Sequence, residues 1–230
     1  MNQQLALSIQ LNEEATFADF CWDGNALLRE QLQRTLSGDG ERLIYLWGVA
    51  GCGKSHVLQA CCQHVGRDKP AIYLPLKTLQ ACGPDIMDGL DKQALLCIDE
   101  LDVIAADPRW EEALFHLYNR IRDHDQTVLI FAGQHPPRGT SIQLPDLRSR
   151  LSASLVIQLQ ELSDDSKVDT LCLQANKRGL ELSKSAAHFL VSRCARNMHD
   201  LHALLDHLDQ ASWVLQRKLT IPFIKTTLAL

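Results

Sequence analysis

One octapeptide constrains this chain more than any other stretch: Gly48-Val49-Ala50-Gly51-Cys52-Gly53-Lys54-Ser55. It follows the apolar run Leu43-Ile44-Tyr45-Leu46-Trp47 and leads into a helical pattern from His56 onward. Strand, glycine loop, then Gly-Lys-Ser opening a helix is the frame of a phosphate-binding loop, and a turn that merely matches the spacing would lack it. Glycines let successive backbone N–H groups turn inward and approach a polyphosphate. The N-terminus of the following helix adds partial positive charge. Lys54 is expected to reach the β- and γ-phosphates and Ser55 to offer its hydroxyl to Mg²⁺. Gly48, Gly51, Cys52, Gly53, Lys54, Ser55 and His56 therefore form the expected binding segment for a nucleoside di- or triphosphate.

The rest of the first 160 residues supplies a sheet for that loop. A helical stretch from Asn25 to about Leu36 is broken by Ser37-Gly38-Asp39-Gly40 before the first strand. Ala71–Leu74 reads as a short strand ended by Pro75, and residues 76–93 as an amphipathic stretch interrupted by Gly83-Pro84 and Gly89. Ala94-Leu95-Leu96-Cys97-Ile98 runs without polar relief, as a strand buried on both faces of a parallel sheet does. Arg109 to Arg122 carries Trp110, Ala113, Leu114, Leu117 and Ile121 on one helical face, and Thr127–Ala132 is another apolar strand. Strands alternating with helices at this spacing predict an α/β fold with a parallel sheet.

Past Leu159 the period changes. Ser163 with Asp164 and Asp165 reads as a helix start, and Gly179 as its end. Ser183 starts a second helix, Met198 to Arg217 forms a third, and Thr220-Ile221-Pro222 opens a fourth that is expected to run to Leu230. The domain reading is thus a flexible segment at 1–14, an α/β domain at 15–160 and a small all-α domain at 161–230.

Ligands of open parallel sheets sit at the carboxyl ends of the strands, which places Asp99-Glu100 beside the glycine loop. Asp99 is the expected holder of Mg²⁺, directly or through water, and Glu100 the group that polarises an attacking water. Gln134 ends the next strand at the same rim, where it could touch the γ-phosphate or the water; a plain loop amide is the alternative.

Charge and cysteine usage narrow the setting. A formal charge of −5 argues against broad nucleic-acid binding, which depends on clustered Lys and Arg. The 8 cysteines are scattered, with no CxxC or zinc-like spacing, so most read as small buried hydrophobes in a reducing cytoplasm. His199, His202 and Asp206 have a helical spacing that could hold metal, but such a set on a polar face is usually just solvated. The N-terminus lacks the basic start and apolar run of a signal peptide, and no stretch approaches membrane-spanning length. Leu5, Leu7, Ile9 and Leu11 alternate, which suits an edge strand, a disordered tail or an extended ligand for another protein's groove.

These features together resemble the AAA+ ATPases over residues 16–230, and within them the Hda family of DnaA-related regulators. The stretches that carry the resemblance are Thr16–Phe20, Leu43–Gly48, Cys97–Glu100, Leu117–Ile121, Pro136–Arg138, Leu144–Leu151 and Arg217–Phe223. What it implies is an AAA+ P-loop sheet flanked by helices, followed by a helical lid. The nucleotide is ADP or ATP, with ADP implied for the active form, and Phe17 and Phe20 pack around the base. Gln4, Leu5, Leu7 and Ile9 resemble the family's motif for the DNA polymerase III sliding clamp, Gln4 by polar contacts and the three apolar side chains by pockets. Arg150 matches the position of the arginine finger, with Arg148 as a nearby second candidate. A finger supplied in trans to ATP on DnaA is the implied chemistry, and the implied role is to stimulate that hydrolysis and prevent re-initiation.

The chain departs from the family pattern at two points. His199 stands where the sensor-2 arginine is usual, with Arg193 and Arg196 as neighbouring cations, and Gln134 stands where an acidic or small polar sensor-1 residue is usual. Histidine is shorter, lacks the bidentate fork and is largely neutral near pH 7, so weak intrinsic hydrolysis is expected. The resemblance also implies no sequence-specific DNA binding, because the sequence ends with the lid. AAA+ chains self-associate through the surface that carries the finger, so a homo-oligomer is among the implied states. A stand-alone AAA+ ATPase or helicase loader is the competing reading, and an initiator-like DNA-binding module is a poor third.

Overall fold

Runs of apolar residues too short for helices and bounded by turns end up as neighbours in one sheet. In the computed structural model, which describes residues 11–124, 126–195 and 197–229, the strands are β1 (Leu43–Trp47), β2 (Ala71–Pro75), β3 (Leu95–Asp99), β4 (Val128–Gly133) and β5 (Leu155–Gln158). Their spatial order is β2-β3-β4-β1-β5, with every pairing parallel. Insertion of β4 between β1 and β3 sets the carboxyl end of β4 between Trp47 and Asp99. The register places Tyr45 beside Phe131, Tyr73 beside Cys97 and Pro75 beside Asp99. β3 is buried along its whole length, as the unbroken apolar run predicts.

The helices of this unit are α1 (Ala26–Ser37), α2 (Lys54–Val65), α3 (Leu76–Leu79), α4 (Pro108–His124) and α5 (Pro145–Ala153). α1 buries Leu28, Leu32 and Thr35 at one-turn spacing. It ends where Gly38 turns left-handed at φ 92° and its N–H reaches back to the Arg34 and Thr35 carbonyls. α4 buries Trp110, Leu114, Leu117, Tyr118 and Ile121 in a core shared with Tyr45, Leu96, Ile98, Leu129 and Phe131.

The chain divides into two compact units: one of the residues through Phe20, Asn25–Val49 and Lys54–Leu159, the other of Cys21–Gly24, Ala50–Gly53 and the residues from Gln160 onward. The second unit carries α6 (Asp164–Lys177), α7 (Lys184–Arg193), α8 (Met198–Leu215) and α9 (Ile221–Thr227). Each begins on a side chain that accepts a first-turn N–H: Ser163 from Ser166, Ser183 from Ala186, Asn197 from Asp200 and Thr220 from Phe223. Leu171, Leu190, Leu201, Leu205, Leu208 and Ile224 form its separate core.

The structure differs from the sequence expectations in four places. The stretch 76–93 is one turn of α-helix followed by three 3₁₀ turns, because Gly83, Pro84 and Gly89 interrupt it too often for a longer helix. The third helix of the second unit stops at Leu215, where Gln216 turns left-handed, short of Arg217. The fourth ends at Thr227, before Leu230. β5 and α5 were not anticipated: β5 is a four-residue edge strand with Val156 and Gln158 exposed, so it shows no buried run to read. Among the described residues no helix is long and apolar enough to cross a membrane.

Candidate functional site

β1 delivers the chain to the sheet's carboxyl rim, where the Gly48 N–H donates to the Gly133 carbonyl at 3.2 Å. Gly51 and Gly53 both sit in the left-handed region, at φ 76° and 105°, which a side chain there would strain. α2 begins at Lys54 directly after them. The Lys54 ammonium folds back over the loop and donates to the Gly48 carbonyl at 2.7 Å and the Val49 carbonyl at 2.9 Å. Both acceptors are neutral, and a phosphate oxygen makes a stronger, charge-assisted bond, so an arriving polyphosphate can claim the ammonium. Cys52, between the two glycines, is buried.

Asp99 ends β3 with only 1% of its surface exposed. Its Oδ1 accepts the Glu100 N–H at 2.8 Å, and its Oδ2 accepts the Tyr73 phenol at 2.8 Å. Of the two expected metal-holding groups, Ser55 and Asp99, the second is thus fastened to β2 through Tyr73. Both offer hard oxygen donors, the kind Mg²⁺ takes, so these residues fit that ion. Burial, reinforced by the Asp99 charge, raises the Tyr73 phenol far above its ordinary range and keeps it protonated. Sequence reasoning passed over Tyr73; its position in a strand whose neighbour ends in Asp99 is the signal that points to it.

Glu100 adopts a left-handed backbone at φ 59°, uncommon for a residue with a side chain and typical of functional turns. Its carboxylate accepts the Lys77 N–H at 3.3 Å. Partial burial, then the Asp99 charge, raises its pKa above the usual carboxylate value. The carboxylate is thus turned toward the start of α3.

Gln134 stands at the end of β4 with its side chain exposed, and its backbone N–H donates to Asp102 Oδ2 at 2.6 Å. Tyr45 donates to the next carbonyl, His135, at 3.0 Å. Asp102 and Tyr45 hold this rim loop, a role that neither shows in sequence.

The Thr16–Phe20 turn lies against α2. Thr16 Oγ1 donates to Asp19 Oδ2 at 2.6 Å, which closes the turn. His56 Nε2 lies 2.8 Å from the Thr16 carbonyl; a carbonyl only accepts, so that nitrogen carries the proton. Burial lowers the His56 pKa, opposed in part by the Thr16 contact. Phe20 packs on His56 with ring centroids 5.4 Å apart, and Phe17 on His64 at 5.7 Å. The two aromatics expected around a base are thus held by two histidines of the helix that follows the glycine loop.

Comparison with known proteins gives this geometry a context. A family described as Hda, lid domain, matches residues 164–228, and one described as RNA helicase matches residues 44–130. Domain III of the replication initiation protein DnaA from Thermotoga maritima superposes with a TM-score of 0.83 at 18% identity, over 96% of this chain and 98% of that one. The chain has the AAA+ fold of DnaA domain III, and its C-terminal helical unit matches the Hda lid family. AMPPCP-bound DnaA from Aquifex aeolicus matches this AAA+ fold with a TM-score of 0.74 at 20% identity, over 90% of this chain and 69% of that one. The RuvB Holliday junction branch migration motor of Thermotoga maritima does so at 0.69 and 15%, over 90% and 68%. Likeness at these identities concerns the fold.

The remaining expected residues of the chain lie on other elements. Arg150 sits on α5, half-buried, and its guanidinium has no ion pair among the described residues. The Tyr118 phenol donates to its carbonyl at 3.1 Å, which fastens that turn of α5 to α4. Arg148 is exposed, with a long 3.5 Å contact to the Ile142 carbonyl. His199 is exposed in the first turn of α8. Among the described residues no cluster of three His, Cys, Asp or Glu is arranged to hold a metal. Gln4, Leu5, Leu7, Ile9 and Arg196 lie outside the described residues.

Proposed function

We propose that this chain is a nucleotide-holding regulator of replication initiation that stimulates hydrolysis of ATP bound to DnaA. The match of residues 164–228 to the Hda lid is the observation that carries this reading. The glycine loop, Lys54 and the α2 N-terminus hold the nucleotide's phosphates, as ADP or ATP. Ser55 and Asp99 hold Mg²⁺, which when bound neutralises phosphate charge. Phe17 and Phe20 flank the base.

The chain's own contribution to hydrolysis is Arg150. Its lack of an ion pair among the described residues and its fixed backbone support a group kept available for a neighbour's site. A guanidinium placed on the transferring phosphoryl group stabilises charge that grows in the transition state. Gln4, Leu5, Leu7 and Ile9 tether the chain to the DNA-loaded sliding clamp, and this raises its effective concentration near DnaA even if the peptide binds weakly. Glu100 turned toward Lys77 and a histidine at 199 support slow turnover of the chain's own nucleotide. Free cysteines, half of them buried, fit a cytoplasmic setting.

Reconstitution tests the proposal: DnaA–ATP hydrolysis is followed with DNA-loaded clamp, with and without the chain. Stimulation by wild type that disappears in Arg150→Ala supports it; no stimulation by wild type, or equal stimulation by the variant, refutes it. A stand-alone ATPase is the second reading, favoured by the presence of both Asp99 and Glu100 at the carboxyl end of β3. It requires steady turnover without DnaA, abolished by Lys54→Ala and indifferent to removal of residues 1–10.

A further inference from the structure

We infer that Tyr118 is a positioning residue for the arginine offered to the nucleotide of DnaA: its phenol fixes the turn of α5 that carries Arg150. The inference rests on the finger reading of Arg150 given above.

Arg150 belongs to the last turn of α5, which ends at Ala153. The final carbonyls of a helix lack a full set of N–H donors from a following turn, and such an end frays unless other groups bind them. Here the Ser154 N–H closes back on the Leu151 carbonyl at 3.4 Å. The Arg150 carbonyl takes two hydroxyls, the Tyr118 phenol at 3.1 Å and, at 3.3 Å, Ser154 Oγ. Ser154 sits at the same helix end, so its hydroxyl moves with the turn that it binds. Tyr118 reaches in from α4, 32 residues away in the chain, and ties that turn to a separate element.

The phenol is itself held. Tyr118 exposes only 2% of its surface, and its ring lies within 12° of parallel to that of Phe131 on β4, with centroids 6.4 Å apart. Leu147 and Leu151 of α5 share a core with Leu114 and Leu117 of α4. Apolar contact of that kind has no direction, so by itself it lets a helix turn about its axis. A hydrogen bond from a fixed phenol does have direction, and this one acts on the residue that serves the phosphoryl group. Phenylalanine at 118 keeps the stacked ring and removes only that bond.

The test is single-turnover hydrolysis of ATP preloaded on DnaA, with DNA-loaded clamp and rising concentrations of full-length wild type, Tyr118→Phe, Ser154→Ala or Arg150→Ala. A finger acts in the transition state, so one set slightly out of place lowers the plateau rate and leaves the half-saturating concentration alone. Tyr118→Phe should lower the plateau by about 3- to 10-fold, the worth of one lost hydrogen bond, with half-saturation and ADP affinity within about twofold of wild type. Ser154→Ala should lower it less. An unchanged plateau in Tyr118→Phe, beside a wild type that stimulates and an Arg150→Ala that does not, overturns the positioning role alone. So does a larger fall in Ser154→Ala than in Tyr118→Phe. Loss of ADP affinity in Tyr118→Phe in step with the rate also overturns it, since that marks a merely structural tyrosine. A wild type that gives no stimulation, or an Arg150→Ala that stimulates as well, overturns the positioning role together with the finger reading beneath it.

Discussion

Glu111 Oε2 accepts the Leu144 backbone N–H at 2.6 Å, across 33 residues of chain. The same buried carboxylate accepts the N–H of Gln143 at 3.0 Å and that of Ala106, a left-handed residue at φ 71°, at 2.8 Å. One side chain of α4 therefore ties the loop after Asp99 to the residue that opens α5, the helix of Arg150. It satisfies donors that no regular element can serve.

Removing that carboxylate leaves several part-buried N–H groups without partners. Glu111→Ala should cost about 3–5 kcal/mol of unfolding free energy, at the high end for single substitutions. Glu111→Gln, which keeps an oxygen acceptor, should cost about 1–3 kcal/mol. Urea denaturation followed by circular dichroism measures both, and a loss under about 1 kcal/mol in the alanine variant contradicts the clamp.

The positive φ of Gly53 makes a methyl group there a backbone problem as well as a steric one. Gly53→Ala should weaken nucleotide binding by about 5- to 30-fold, since strain of about 1–2 kcal/mol falls on the conformation that would cradle phosphate. Lys54→Ala should also weaken it, by removal of charge from a loop that keeps its shape. Isothermal titration with ADP and ATP measures each loss. A Gly53→Ala chain that binds like wild type would show that the loop opens by another route.

His56 makes stability depend on pH in one direction. Its folded pKa lies below the ordinary 6.5 because burial disfavours the charged ring. Below that value the unfolded chain takes up a proton that the folded chain does not, so the His56 contribution is present above pH 6.5 and is lost as pH falls through the folded pKa. Glutamine can still donate to the Thr16 carbonyl without titrating. Thermal melts between about pH 7.5 and 5 should therefore fall further for wild type than for His56→Gln, and the unfolded-state histidine value near 6.5 sets the upper edge of the window. Parallel melting curves for the two chains would remove His56 from the account.

Arg150 should matter to DnaA's ATP and not to this chain's nucleotide. Arg150→Ala should reduce clamp-dependent stimulation of DnaA hydrolysis by about 10³-fold or to background, with ADP affinity of the chain itself unchanged. Arg150→Lys should recover only a small part, because an ammonium lacks the planar fork that spans two phosphate oxygens. Single-turnover hydrolysis on preloaded DnaA separates these cases, and full activity in the lysine variant would argue for simple charge in place of a finger.

How much of this was legible before the structure differs by residue. β3, β4 and the glycine loop could be read because burial on both faces leaves an apolar run and because φ above zero selects glycine. The lid helices could be read from Ser163, Ser183 and the apolar stripes that follow them, since a cap must lie within one turn of the donors it serves. β5 escaped notice because an edge strand with Val156 and Gln158 exposed carries no such pattern. Tyr73, Asp102 and Glu111 escaped for a different reason: their partners are 26, 32 and about 33 residues away.

Sequence by itself determined that this chain builds a parallel sheet, a glycine loop between a strand and a helix, and a helical module, because backbone chemistry and hydrophobic period act over a few residues. Only the tertiary structure decided the strand order β2-β3-β4-β1-β5, and with it which side chains meet at the rim. Ser55 and Asp99 were expected to share a metal. That Tyr73 reaches Asp99, and that Glu100 turns toward Lys77, follows from the register of β2 on β3 and from the left-handed turn at Glu100. Contacts of that kind depend on how distant segments align across a sheet, and no local run of residues records that alignment.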